Sequence, residues 1–185
     1  MAHISLPEGV AGISGPMLQY PETAQPLNAL AEALLRGPSS LSPAEREVIA
    51  TYVSSKNNCY FCTNCHAATA RHLLKDQSAI MDEVLQEPAS AHISDKMKAL
   101  LVIAEKVQQG GRRVTDEDVA SARAAGADDK AIHDTVLTAA AFCMFNRYVD
   151  GLATWAPEDS SLYDQIGERL ATNGYPTGSE HRNQS

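Results

Sequence analysis

The stretch "SPAEREVIATYVSSKNNCYFCTNCHAATARHLLK" (residues 42–75) holds two helical patterns and the short turn between them. Ser42, Pro43 and Glu45 form a capping box: a Ser N-cap, Pro at the first helical position and Glu at the third. The pattern then runs to about Lys56 on an apolar stripe of Val48, Ile49, Tyr52 and Val53. "KNN" breaks it, and a second helix is expected from Asn58 as N-cap, through "CYFCTNCHAATARHLLK". Two helices joined by so short a turn lie antiparallel, face to face.

The same punctuation continues outward. "PLNALAEALLRG" (26–37) is helical and stops at Gly37, and "SAIMDEVLQEP" is a short helix closed by Pro88. "SDKMKALLVIAEKVQQGG" is amphipathic and ends at Gly110-Gly111, and Thr115 with Asp118 approximates another capping box. Residues 128–156 predict a long, nearly all-apolar central helix. No convincing strand or repeat interrupts these patterns, so the expected fold is all-α, with about six to eight helices. Residues 1–25 are expected as an extended arm, 26–172 as the helical domain and 173–185 as a flexible tail.

Composition narrows the function. A net charge of −8 without a basic cluster disfavours nucleic acid and anionic membrane as partners. Aromatics make up only 5 % of the chain while Ala and Leu abound, which favours helix over sheet. The first residues lack a basic, apolar leader and no window predicts a membrane span, so the cytoplasm is the default expectation. Clustered cysteines in that compartment point to redox chemistry or metal rather than to a disulfide framework.

On a helix, Cys59, Cys62 and His66 share one face, and Cys65 lies further round. The i, i+3 spacing of Cys59 and Cys62 suits a disulfide, and a helix N-terminus favours a thiolate. His66, one turn past Cys62, can serve as proton acceptor or counter-ion. Three readings fit these residues: a redox pair with a base, a zinc site, or a buried structural cluster. Zinc fares worst because all four ligands would come from one helix, with no second knuckle. Cys65 and Cys143 suit packing. Periodicity alone favours a solvated Glu47, although Glu47 also sits where a carboxylate can face the cysteine helix across the turn.

Glu47, Cys59, Cys62 and His66 together reproduce the Glu-x11-Cys-x2-Cys-x3-His signature, and the chain resembles alkyl hydroperoxidase D-like (AhpD-like) proteins of the carboxymuconolactone decarboxylase superfamily. "LSPAEREVIATYVSSKNNCYFC" and "FNRYVDGL" are similar to that family's conserved helices, and "PETAQPLNALAEALLRGPSSLS" to its uncharacterised peroxidase-related subgroup. The resemblance implies an AhpD-like helical bundle with the CxxC at the start of a central helix. It implies that Cys62 attacks a hydroperoxide, that Cys59 resolves the sulfenic acid to a disulfide, and that His66 and Glu47 relay the proton. No bound flavin, haem or metal is implied; an external dithiol, a lipoyl protein or a thioredoxin-like donor, would reduce the disulfide. Homo-oligomerisation is expected. Helix-dipole logic taken alone instead favours Cys59 as nucleophile. Phe61 stands where the best-studied members carry a relay His, and Cys65 is an addition. Arg147 is expected to pair with Asp150, while His72, His92 and His133 have no partner visible in the sequence. Two rival functions are a cofactor-free lactone-acid decarboxylase, for which vicinal cysteines have no use, and a redox-sensing scaffold without turnover.

Overall fold

The computed structural model of the protein describes residues 2–176. Among these, nine α-helices and two short 3-10 turns account for the regular structure, with no strand. The helices are α1 (Ser14–Gln19), α2 (Pro21–Leu35), α3 (Pro43–Lys56), α4 (Tyr60–Leu74), α5 (Ile80–Gln86), α6 (Asp95–Gln109), α7 (Asp116–Ala124), α8 (Asp129–Gly151) and α9 (Ser160–Asn173).

Helix starts follow the capping chemistry. Ser42 Oγ accepts from the Glu45 N–H at 3.2 Å, and Glu45 Oε2 accepts from the Ser42 N–H at 2.8 Å. Thr115 and Asp118 make the reciprocal pair at α7. Asp128 caps α8 by accepting from the Ala131 N–H at 2.7 Å.

The N-terminal arm is a correction. Residues 14–19 are helical, and α2 begins at Pro21 rather than Pro26. Proline is well suited to a first helical position, and the Glu22 carbonyl that Pro26 leaves unpaired lies on an exposed turn open to water. The start of α4 is a second correction. Asn58 adopts φ +57°, and the extended residue that caps α4 is Cys59 (φ −81°, ψ 98°). An N-cap needs extended dihedrals, which a left-handed residue does not have; Asn tolerates that conformation better than most.

That turn is clamped on its inner side. Asn57 Nδ2 donates to Asn146 Oδ1 at 2.8 Å, Asn146 Nδ2 to Ser54 Oγ at 3.0 Å, and Gln108 Nε2 to Asn57 Oδ1 at 2.9 Å. Helices α6 and α8 thereby hold the α3–α4 turn. Arg147 does not pair with Asp150 as expected; it donates to the Cys143 carbonyl at 2.8 Å.

α4 sits at the centre, packed most extensively against α3 and α9. Behind α3, the core gathers Ile49, Val53, Leu100, Leu101, Ile103 and Phe142. Full burial of each such side chain contributes roughly 1.5–3 kcal/mol. α8 buries one side only; Leu137 and Met144 remain exposed, so it is less enclosed than its composition suggests.

α9 crosses α4 closely because Gly167 faces Ala68. A Cβ at Gly167 would lie 2.7 Å from the Ala68 carbonyl carbon and 2.8 Å from the Thr69 nitrogen. Those atoms are helical backbone and cannot swing away. Gly167→Ala is therefore expected to lower unfolding free energy by about 1–3 kcal/mol, read as a reduced urea midpoint. An unchanged midpoint would mean that α9 does not approach α4 this closely.

Candidate active site

The site is assembled where α3 and α4 face each other. Glu47, midway along α3, is fully buried, so the periodicity-based expectation of a solvated carboxylate is overturned. The reason is that three donors meet it. His66 Nδ1 lies 2.8 Å from Glu47 Oε2. Arg36 Nη2, from the end of α2, lies 2.8 Å from Oε1. Tyr175, just beyond α9, donates its hydroxyl to Oε1 at 2.9 Å and also lies 3.2 Å from His66 Nδ1. Burial pushes the Glu47 carboxyl up, but the charge and hydrogen bond of His66, the Arg36 guanidinium and the Tyr175 hydroxyl together outweigh it and hold the group below the usual carboxylate range.

An ionised Glu47 can only accept, so it requires a proton on His66 Nδ1. In the neutral ring the lone pair then belongs to Nε2, the nitrogen a general base uses. The ring is held edge-on by Phe142 (centroids 4.6 Å apart, 86°) and lies nearly parallel to the Tyr175 ring (6.2 Å, 15°). Among the described residues Nε2 has no protein partner, nor is it a sealed, unsatisfied atom.

Cys59 and Cys62 lie together at the start of α4 as free thiols in a small apolar cluster with Phe61, Cys65, Ala68, Val149 and Tyr163. Contact with the Cys62 thiol, followed by burial, pushes the Cys59 thiol far above its ordinary value. Burial does the same to Cys65. Position at the helix N-terminus therefore does not make Cys59 the resting thiolate: contact with the Cys62 thiol, together with loss of water, outweighs the dipole here.

Phe61 is buried in this cluster, 6.0 Å from Tyr163 between ring centroids. The N-terminal segment covers it. Gly12 (φ +55°) passes so close that a Cβ would fall within 2.1 Å of the Phe61 ring, and its N–H donates to the Trp155 carbonyl at 2.7 Å. Phe61 thus supplies cover for the thiols rather than a proton relay. Among the described residues no three His, Cys, Asp or Glu side chains converge as a metal site, and no helix is long and apolar enough to cross a membrane.

Arg36 and Tyr175 escaped the sequence reading. Arg36 reads as an ordinary cation ending a helix. Tyr175 falls in the segment expected as a flexible tail; its signal was an aromatic set between Gly174 and Pro176 in an otherwise polar run. The rest of that tail, 177–185, lies outside the described residues. His72, His92 and His133 pair with Asp164, Glu83 and Asp134 away from the thiols.

This geometry is that of a helical protein in which a carboxylate-oriented imidazole follows two adjacent cysteines by one helical turn on α4. Residues 21–106 match the carboxymuconolactone decarboxylase family. An uncharacterised peroxidase-related protein from Silicibacter sp. TM1040 is 27 % identical, with a TM-score of 0.69 over 77 % of this chain and 73 % of that one. An uncharacterised peroxidase-related protein with an AhpD core, from Ralstonia eutropha JMP134, is 23 % identical, with a TM-score of 0.75 over 86 % and 82 %. A protein of unknown function from Agrobacterium tumefaciens, provisionally assigned to antioxidant defence as AhpD, is 22 % identical, with a TM-score of 0.63 over 81 % and 100 %. No curated protein matches the chain. Over residues 21–106 the chain is similar to the carboxymuconolactone decarboxylase family, and it has the AhpD-like fold.

Because the Glu47 carboxyl lies below its ordinary value, its stabilising contribution is complete above the unfolded carboxyl range and disappears as pH falls through the native value. Glu47→Gln leaves Arg36 and His66 facing a neutral group and is expected to cost about 3 kcal/mol at pH 7. The gap between variant and wild type narrows on acidification below about pH 4. Urea titrations at several pH values check this; a gap that widens toward acid would contradict an ionised Glu47.

Proposed function

We propose that the protein is a thiol-dependent hydroperoxide reductase in which Cys62 is the attacking thiol, Cys59 the resolving thiol, and His66 with Glu47 the proton relay. The observation that carries this reading is the Glu47–His66 pair, one helical turn from a cysteine that lies against a second cysteine. The peroxidase-related description of the Silicibacter and Ralstonia proteins supports the same chemistry.

His66 Nε2 takes the Cys62 proton, and the resulting imidazolium is stabilised by Glu47. The thiolate attacks the terminal oxygen of ROOH. An S–O bond forms, the O–O bond breaks, and the departing alkoxide recovers the proton from His66 as ROH. Cys62 is left as a sulfenic acid. Cys59 then attacks the Cys62 sulfur; the S–S bond forms and hydroxide leaves with the Cys59 proton as water. The raised Cys59 thiol suits a group that reacts second. An external dithiol, lipoyl or thioredoxin-like, returns both cysteines to thiols by two exchanges. The sum is ROOH + D(SH)2 → ROH + H2O + DS2. The cycle needs no resident metal or flavin and suits a reducing compartment such as the cytoplasm.

A decarboxylase is less well supported. It needs a cation free to bind the substrate carboxylate, and Arg36, beside the relay, is engaged by Glu47.

Hydroperoxide consumption with dihydrolipoamide as donor tests the proposal. Cys62→Ser is expected to abolish turnover. Cys59→Ser permits one equivalent of ROOH to react and then stalls. His66→Ala falls by on the order of 10²–10⁴. Undiminished rates in both serine variants would reject a thiol peroxidase.

A further inference from the structure

The C-terminal hook after α9 is built around Glu47 rather than draped over it. Gly174 takes φ +71°, and a Cβ there would lie 2.6 Å from Glu32 Oε2. The same Glu32 oxygen accepts the Tyr175 N–H at 2.7 Å. The Arg36 guanidinium lies 5.3 Å from the centroid of the Tyr175 ring, so one cation holds both the ring face and the Glu47 carboxylate. Glu32 of α2 and Arg36, the residue that ends it, thus anchor Tyr175 by its backbone and its ring.

From this arrangement we infer that Tyr175 is a positioning residue of the proton relay: its hydroxyl closes the third donor contact on Glu47 and thereby fixes the carboxylate that orients His66. The inference rests on the peroxidase reading only for the name of the reaction; the relay it describes would serve any thiol chemistry at Cys62.

The geometry requires a donor at this point. Oε2 of Glu47 faces His66, while Oε1 faces Arg36 and Tyr175. Without the phenol, Oε1 keeps Arg36 alone, and the carboxylate can rotate away from Nδ1. Burial, and then the charge on Glu47, push the Tyr175 phenol well above its ordinary value, so it remains a protonated donor throughout the working pH range. The other groups facing Glu47 are accounted for. Arg36 comes from α2, Arg46 from its own helix, and His66 and Cys65 from α4. α8 brings Asp134, which acts on Arg46, and the uncharged Phe142 ring, which packs on His66. None of them replaces a hydroxyl on Oε1.

The sign of the effect follows. The Tyr175 hydrogen bond helps depress the Glu47 carboxyl, so removing it lets the carboxylate take up a proton at higher pH. The relay then fails earlier on acidification, and the acid limb of Cys62 reactivity moves upward.

The test is the pH profile of Cys62 alkylation by iodoacetamide in the full-length reduced protein, followed by peptide mass spectrometry, with hydroperoxide consumption measured in parallel. Tyr175→Phe keeps the ring and is expected to shift the acid limb up by on the order of one pH unit, with the thermal midpoint nearly unchanged. Site-specific 3-fluorotyrosine at 175, a stronger donor, moves the limb the other way and keeps the test decisive if the Phe variant is unstable. A Phe profile superimposable on wild type, or one lowered at every pH with its limb unmoved, would overturn the inference. If Cys62→Ser still consumes hydroperoxide while the alkylation limb shifts as expected, the peroxidase reading fails and the role of Tyr175 stands.

Discussion

A carboxylate without solvent governs this molecule. Glu47 has no exposed surface, and an unpaired charge in that position would cost several kcal/mol. Its tolerance depends on three donors from three separate parts of the chain: Arg36 at the end of α2, His66 on α4 and Tyr175 beyond α9. The pairing of α3 with α4, the return of α9 along α4, and the turn at Gly174 all serve to bring those donors to one point. In return, the ionised carboxylate selects which nitrogen of His66 carries the proton.

The thiols occupy a contrasting environment. Cys59, Cys62 and Cys65 sit among Phe61, Ala68, Val149 and Tyr163, beneath the Gly12 segment. Contact with the Cys62 thiol, and then desolvation, oppose charge on the Cys59 sulfur, so the helix N-terminus alone leaves Cys59 a protonated thiol. In the proposed mechanism, reactivity at Cys62 depends on a base supplied from outside the apolar cluster, the role proposed for His66. Phe61 deepens the apolar cover over these thiols, and the proposed relay has one imidazole as its proton acceptor.

Much of this was legible in the chain because it is local. The Ser42–Glu45 and Thr115–Asp118 boxes mark helix starts through contacts three residues apart, and the spacing of Cys59, Cys62 and His66 follows from helical pitch. What escaped was non-local or conformational. Asn58 looks like an N-cap until its left-handed backbone passes that duty to Cys59. Residues 157–172 are expected within the helical domain without a helix of their own, and their role as the partner of α4 depends on Gly167 meeting Ala68, a contact across about a hundred residues. Tyr175 stands far from Glu47 in sequence and Arg36 ends a different helix, and no periodicity links a terminal helix cation or an aromatic in a polar tail to a buried acid.

The central claim is that Glu47 is a carboxylate inside the folded protein. Infrared difference spectroscopy of wild type against Glu47→Gln at neutral pH reads this directly. The account predicts that the side chain contributes the paired stretches of an ionised carboxylate, unaltered by moderate acidification. The carbonyl stretch of a protonated acid in its place would mean that Nδ1 of His66 is not obliged to carry a proton, and the relay built on it would fall.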